Sequence, residues 1–217
     1  MIGIFGGTFD PVHFGHLRTA LEIKESLELA QVRLVPCRRP PHREPPAASA
    51  EQRLIMLRSA VQNEPAITID PQELQREGAS FSVDTLAAIR KETGETTPIC
   101  LIVGMDAFAG LETWHRWRTL FDLAHIVVMQ RAGIAPSLPH TLTEFIEDKT
   151  AQTVSMLHSN PSGLILFQEV IQLDISATRI RRLIKEGRNP RWLLPDSVLQ
   201  MIKEQHLYTQ SCQQINY

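Results

Sequence analysis

A chain of 217 residues, 43% hydrophobic and 21% charged, has the make-up of a globular protein able to bury a substantial core. A formal net charge of −2 and a pI near 6.4 exclude the basic surplus of a nucleic-acid-coating protein, so any cationic chemistry must be local. Three well-separated cysteines (Cys37, Cys100, Cys212) without CxxC or Cys/His spacing exclude a disulfide framework or structural zinc, and the absence of an apolar run of about 18 residues excludes a membrane helix.

The chain opens on an apolar run, MIGIF (1–5), which ends at Gly6 and Gly7 in the manner of a buried strand. With that strand starting at Met1, no room is left for a signal peptide, and a cytoplasmic protein is expected. Leu17, Ala20, Leu21, Ile23 and Leu27 recur at helical spacing between Phe14 and Leu29. QVRLVP (31–36) reads as a second strand stopped by Pro36, and CRRPPHREPPAAS (37–49) as a loop too proline-dense for regular structure. A helix opens at Ser49 and runs through Leu54, Leu57 and Val61, followed by a short strand at Ile67–Asp70 and a helix from Ser82 to Glu92 with serine at its start. Three further strands are predicted at ICLIVG (99–104), HIVVMQR (125–131) and GLILFQEV (163–170). Residues 132–161 are expected to be loop plus one helix, and two helices fill the tail, Ser176–Gly187 and Pro195–His206.

Apolar strands alternating with helices predict an α/β fold: a Rossmann-like open parallel sheet with helices on both faces and a small C-terminal helical portion. One domain over 1–217 is expected, with the sheet within about 1–170 and the helical portion at about 175–208.

In such a sheet, ligands sit beyond the carboxyl ends of the strands, where strand order reverses. Gly6 and Gly7 fall at such an end, where the lack of Cβ lets backbone amides approach a phosphate. His13 and His16 are three residues apart at the start of a helix, so both rings are expected to project one way, with Gly15 leaving space for a ligand. Imidazoles so placed can donate to phosphate oxygens and stabilise charge that builds up at phosphorus.

The string GGTFDPVHFGH, with Thr8, Asp10 and Pro11 also in place, resembles the signature of nucleotidyltransferases with an HxGH-type motif, relatives of class I aminoacyl-tRNA synthetases. ISATRIR (175–181) opens a helix with two hydroxyls and an arginine, and it resembles the second signature of that family, which holds the triphosphate of ATP. No KMSKS-like string is present, which argues against the synthetase branch. The resemblance implies nucleotide contacts for Gly6, Gly7, Thr8, Phe9, His13, His16, Ser176, Thr178 and Arg181. PPHR in the proline-rich loop resembles the PPHK segment of one branch, which implies substrate roles for His42 and Arg43; Arg38 and Arg39 stay undecided.

On spacing alone, Trp114 and Trp117 read as core residues one helical turn apart, and Ser82 and Val83 as a helix start. Yet GASFSVDTL (78–86) and GMDAFAGLETWHRW (104–117) resemble segments of bacterial nicotinate-mononucleotide adenylyltransferases. The resemblance implies that Trp114 stacks on the pyridine, that backbone amides of Val83 and His115 beside Ser82 take the nicotinate carboxylate, that Asp106 binds ribose hydroxyls, and that Arg131 lies at the nucleotide site. Phe81 stands where many members have tyrosine, and Arg43 replaces the usual lysine.

The reaction so implied joins ATP to nicotinate mononucleotide, giving the dinucleotide and pyrophosphate, with Mg²⁺ carried by the nucleotide and no metal site of the protein's own. His13, His16 and Arg181 are the expected catalytic residues. The alternatives are transfer to nicotinamide mononucleotide or pantetheine phosphate, or a non-catalytic nucleotide sensor on the same fold.

Overall fold

The computed structural model describes residues 1–39, 44–131, 138–171 and 173–209. Strands β1 (Ile2–Gly7), β2 (Gln31–Pro36), β3 (Ile67–Ile69), β4 (Ile99–Gly104), β5 (His125–Gln130) and β6 (Ile165–Glu169) form one sheet in the order β3-β2-β1-β4-β5-β6. Every pairing is parallel, with Phe5 of β1 beside Leu34 of β2 on one side and Ile102 of β4 on the other. The helices are α1 (Phe14–Ser26), α2 (Ala50–Val61), α3 (Gln72–Gln75), α4 (Ser82–Thr93), α5 (Met105–Ala109), α6 (Leu120–Leu123), α7 (His140–Ile146), α8 (Val154–Ser159), α9 (Ala177–Lys185) and α10 (Asp196–Glu204).

Successive strand side chains point to opposite faces, and each face here has its own core. Ile4, Leu101, Val103, Ile126 and Val128 pack with Leu86 and Ile89 of α4, Phe108 of α5 and Leu120 of α6. Phe5, Leu34, Ile102 and Val127 pack on the other face with Ile23 of α1, Leu57 of α2, Ile180 of α9 and Val198 of α10. Burial on both sides is why the strands read as unbroken apolar runs. The start of α2 carries a reciprocal capping box: Ser49 Oγ accepts from Gln52 N–H at 3.1 Å while Gln52 Oε1 accepts from Ser49 N–H at 2.9 Å, a device worth about 1 kcal/mol.

Two local expectations are corrected. Among the described residues of 132–161 there are two α-helices, α7 and α8, which bury Leu142, Ile146 and Leu157. The stretch after β4 folds into the short turns α5 and α6 with 3-10 turns at Leu111–Thr113 and Trp117–Thr119 between them, each too brief to show a period in the sequence. The helix expected from Ser82 does begin there, as α4, with Phe81 as its N-cap and no side-chain cap bond.

From β1 the chain winds outward through β2 to β3, then crosses back to build β4, β5 and β6 on the other side of β1. The order therefore reverses at β1/β4, and a crevice opens there at the carboxyl ends.

Candidate active site

The crevice is a cleft of about 840 Å³. Its floor is the end of β1 and the following turn (Gly6 to Asp10), with Gly104, Asp106 and Met129 from the neighbouring strand ends. His13, Gly15 and His16 line one wall, and Ser176, Ala177, Thr178 and Arg181 of α9 line another. The two signatures, some 160 residues apart in the chain, thus face one space.

His13 is the N-cap of α1, with extended backbone (φ −148°, ψ 169°) and no side-chain capping bond. Its ring instead lies over the helix end and stacks on His16, with centroids 3.7 Å apart and planes 21° apart. Phe9 meets the His16 ring edge-on at 5.0 Å and Phe5 at 6.4 Å. This apolar backing strips water from the His16 ring. Desolvation lowers His13 to about 4; desolvation, then the adjacent His13, lowers His16 to about 3. Both are neutral at pH 7. In each ring Nδ1 is buried without a partner among the described residues, and both residues line the cleft. An unpaired buried lone pair costs less than an unpaired buried N–H, so the proton belongs on Nε2, ready to donate.

The glycines divide their work. A Cβ on Gly6 would meet nothing within 4 Å, so this glycine opens the cleft floor. On Gly7 it would sit 2.9 Å from Phe9 Cζ, and on Gly15 3.0 Å from His13 Cε1 and Nδ1 and 3.3 Å from Ile175 O. Gly7 therefore admits the Phe9 ring, and Gly15 makes room first for the His13 ring rather than for a ligand.

At the start of α9, Ser176 is the N-cap and its Oγ accepts from Arg179 N–H at 3.2 Å. Arg181 Nη1 donates to the Asp10 carbonyl at 2.7 Å and stands 3.8 Å from Asp10 Oδ2, while Nη2 lies 3.4 Å from Thr178 Oγ1. The guanidinium is one-third exposed and keeps donors for a ligand.

The supports of this site escaped the sequence reading. Asp10, 4% exposed, accepts from Ala47 N–H (2.8 Å), Ala48 N–H (3.0 Å) and the Tyr208 hydroxyl (2.8 Å). Arg53, 1% exposed inside α2, donates to the carbonyls of Thr8 (2.7 Å), Cys37 (2.8 Å) and Arg38 (3.4 Å), tying the turn after β1 to the end of β2. An arginine three residues before Met56 and four before Leu57 on the buried face of a helix was the available signal.

The acceptor candidates gather elsewhere. Ser82, Val83, Trp114, His115 and Arg131 are not among the cleft's lining residues, whereas Asp106 is. The Phe81 and His115 rings meet at 4.5 Å, so the start of α4 and the 114–117 turn are neighbours. The two tryptophans do not share a helical face: Trp114 is extended (φ −76°, ψ 143°), Arg116 is left-handed (φ 52°), and Trp117 begins a new turn. Trp117 is a core residue against Phe121 and Phe145, with Arg118 over its ring at 4.3 Å; Trp114 is only half-buried. His42 and Arg43 lie outside the described residues, though Glu44 to Ala47 line the cleft. Arg38 is tied to the approach to α4, its N–H donating to Ser80 Oγ at 3.1 Å and its Nη1 to Arg76 O at 2.8 Å. Among the described residues no three His, Cys, Asp or Glu side chains converge to hold a metal ion, and no helix is long and apolar enough to cross a membrane.

Residues 4–183 match the cytidylyltransferase-like family. The chain is 51% identical over 209 residues to a probable nicotinate-nucleotide adenylyltransferase of Methylococcus capsulatus, covering 96% of this chain and 99% of the relative. A protein of the same name from Halorhodospira halophila is 47% identical over 207 residues, covering 95% and 94%. In fold, the chain superimposes on Plasmodium falciparum nicotinic acid mononucleotide adenylyltransferase complexed with NaAD with a TM-score of 0.72 at 15% identity, covering 95% of this chain and 96% of the other.

Proposed function

The chain belongs to the nicotinate-nucleotide adenylyltransferases, within the cytidylyltransferase-like family, and from that premise we propose how the residues of its cleft share the work. The enzyme joins ATP and nicotinate mononucleotide into nicotinate adenine dinucleotide and pyrophosphate, a step of NAD biosynthesis. A phosphate oxygen of the mononucleotide forms a bond to the α-phosphorus of ATP as the bond from that phosphorus to the β-phosphate bridging oxygen breaks; pyrophosphate carries the electron pair away. The nucleophile is already an anion, so no general base is needed, and catalysis reduces to alignment and charge neutralisation.

In this reading the Nε2–H groups of His13 and His16 donate to the α- and β-phosphates, and Arg181 neutralises the departing pyrophosphate. Gly6, Gly7, Thr8 and Phe9 shape the bed for the triphosphate, and Ser176 and Thr178 offer it the open end of α9. Arg131 contributes at the nucleotide. Mg²⁺ enters with ATP, held by the nucleotide's own oxygens and water. For the acceptor, Trp114 stacks on the pyridine, the amides of Val83 and His115 beside Ser82 receive its carboxylate, and Asp106 binds ribose; the substrate roles of His42 and Arg43, outside the described residues, rest on the PPHR resemblance.

One observation carries this reading: neutral, stacked imidazoles and a one-third-exposed arginine, brought from two distant signatures, face one cleft at the strand-order reversal. The test is pyrophosphate release with ATP and Mg²⁺ against nicotinate mononucleotide, its amide and pantetheine phosphate. Release with the first and little with the others is expected. Equal release with the amide would remove the carboxylate pocket, and release with pantetheine phosphate alone would overturn the acceptor.

A further inference from the structure

Asp10 joins four separate parts of the chain. Its Oδ1 accepts from Ala48 N–H at 3.0 Å and from the Tyr208 hydroxyl at 2.8 Å, and its Oδ2 accepts from Ala47 N–H at 2.8 Å. Arg181 is bound to the same residue through the backbone carbonyl at 2.7 Å, with its cation 3.8 Å from Oδ2. Tyr208 lies beyond α10 and outside the cleft's lining, so it touches no substrate there. We propose that Tyr208 is a positioning residue for the reaction: its hydroxyl holds the Asp10 carboxylate in the orientation that keeps Arg181 aimed into the cleft.

The physical case rests on competition for one carboxylate. With both backbone amides and the phenol donating, Asp10 is satisfied by groups that cannot move into the cleft, and Arg181 stays at the long 3.8 Å separation with donors to spare. A carboxylate that lost its phenol would draw the nearest mobile cation to make good the deficit, and that cation is Arg181. Shortening the Arg181–Asp10 contact withdraws the guanidinium from the leaving pyrophosphate. Tyr208 is suited to a permanent donor's part, because burial first and the Asp10 charge second push its hydroxyl far above the usual range, so it keeps its proton throughout the physiological span.

The inference rests on the role given to Arg181 above, and a double-mutant cycle separates the two. Tyr208→Phe, which keeps the ring, is expected to lower kcat roughly tenfold and to raise the KM for pyrophosphate in the reverse direction, with the KM for nicotinate mononucleotide unchanged. In an Arg181→Ala background, Tyr208→Phe is expected to cost nothing further, because its target is gone. If Arg181→Ala leaves kcat intact, the reading of Arg181 fails and takes this inference with it. If Arg181→Ala is slow but Tyr208→Phe multiplies the loss by the same factor in both backgrounds, or changes only the thermal midpoint, the positioning role alone is overturned. Should Tyr208→Phe fail to fold, Tyr208→Leu, which also removes the hydroxyl and leaves the Asp10 charge in place, closes the same cycle with the same expected pattern.

Discussion

The imidazoles of His13 and His16 lie face to face, 3.7 Å between centroids, backed by the edges of Phe5 and Phe9. Two cations could not share that stack, and burial keeps both rings uncharged at neutral pH. NMR titration of the free enzyme is expected to give midpoints at about 4 and about 3; a midpoint near 6.5 for either ring would contradict the packing. His16→Ala is expected to lose ~2–4 kcal/mol of transition-state stabilisation while ATP affinity changes little. Equal losses in rate and affinity would mean simple ground-state binding.

The same burial predicts acid sensitivity. His13, His16 and also His125 are held neutral in the folded protein. His125 is fully buried, its Nε2 at 3.1 Å from Leu157 O and 2.8 Å from Asn160 O and its Nδ1 accepting from Leu164 N–H at 3.1 Å. All three lie below their unfolded value of 6.5 when folded, so the unfolded chain binds more protons in the acid range. The stability they contribute is complete above pH 6.5 and is lost as pH falls from there toward the folded values, with a slope of about 1.4 kcal/mol per pH unit for each group. Urea midpoints measured between pH 7.5 and 5 should fall steadily, and His125→Asn should flatten the slope. A midpoint independent of pH would show these rings are not desolvated.

Arg53 is expected to matter twice. Arg53→Met leaves the carbonyls of Thr8 and Cys37 without their buried donor, at a cost of about 2–4 kcal/mol in denaturant unfolding. It also frees the turn that carries the diglycine, so kcat should fall even well below the unfolding midpoint. Full activity in the cold would separate the turn from catalysis.

The tryptophans should divide cleanly. Trp117→Ala hollows out the packing against Phe121 and Phe145 and is expected to cost about 3–5 kcal/mol of stability. Trp114→Ala, at a half-buried ring on the edge of the same core, should cost less stability than Trp117→Ala and raise the KM for nicotinate mononucleotide while sparing that for ATP. Unchanged acceptor kinetics would remove Trp114 from the pyridine site.

Gly15→Ala is a narrower probe. Its methyl would stand 3.0 Å from the His13 ring and 3.3 Å from Ile175 O, so the ring must shift. A drop in kcat of roughly tenfold without loss of ATP binding is expected; wild-type turnover would show that His13 tolerates displacement.

What the sequence made legible was local or periodic. The parallel sheet followed from apolar runs spaced by helices, the Ser49 start of α2 from its side-chain types, and the two signatures that face the cleft from short contiguous strings. What stayed hidden were pairings across long separations. Nothing in the string TFDP announces that Asp10 will meet Tyr208, and nothing in EQRL announces that Arg53 will reach Thr8. Proximity made by folding also reassigned Gly15, whose neighbour proved to be a ring two residues back. The tryptophan pair misled for a third reason: Arg116 takes a left-handed conformation, which breaks the helical spacing that the sequence suggested.

The Asp10–Tyr208 bond links residues 198 positions apart. A chain emerging from the ribosome therefore carries its HxGH histidines long before the phenol that braces the arginine has been made. Copies that end between α10 and Tyr208 would turn over at roughly a tenth of the full rate, so full activity arrives only with the last described residues. Molecules nicked after α10 should slow by the same factor, with the Val198 and Ile202 packing of that helix still in place.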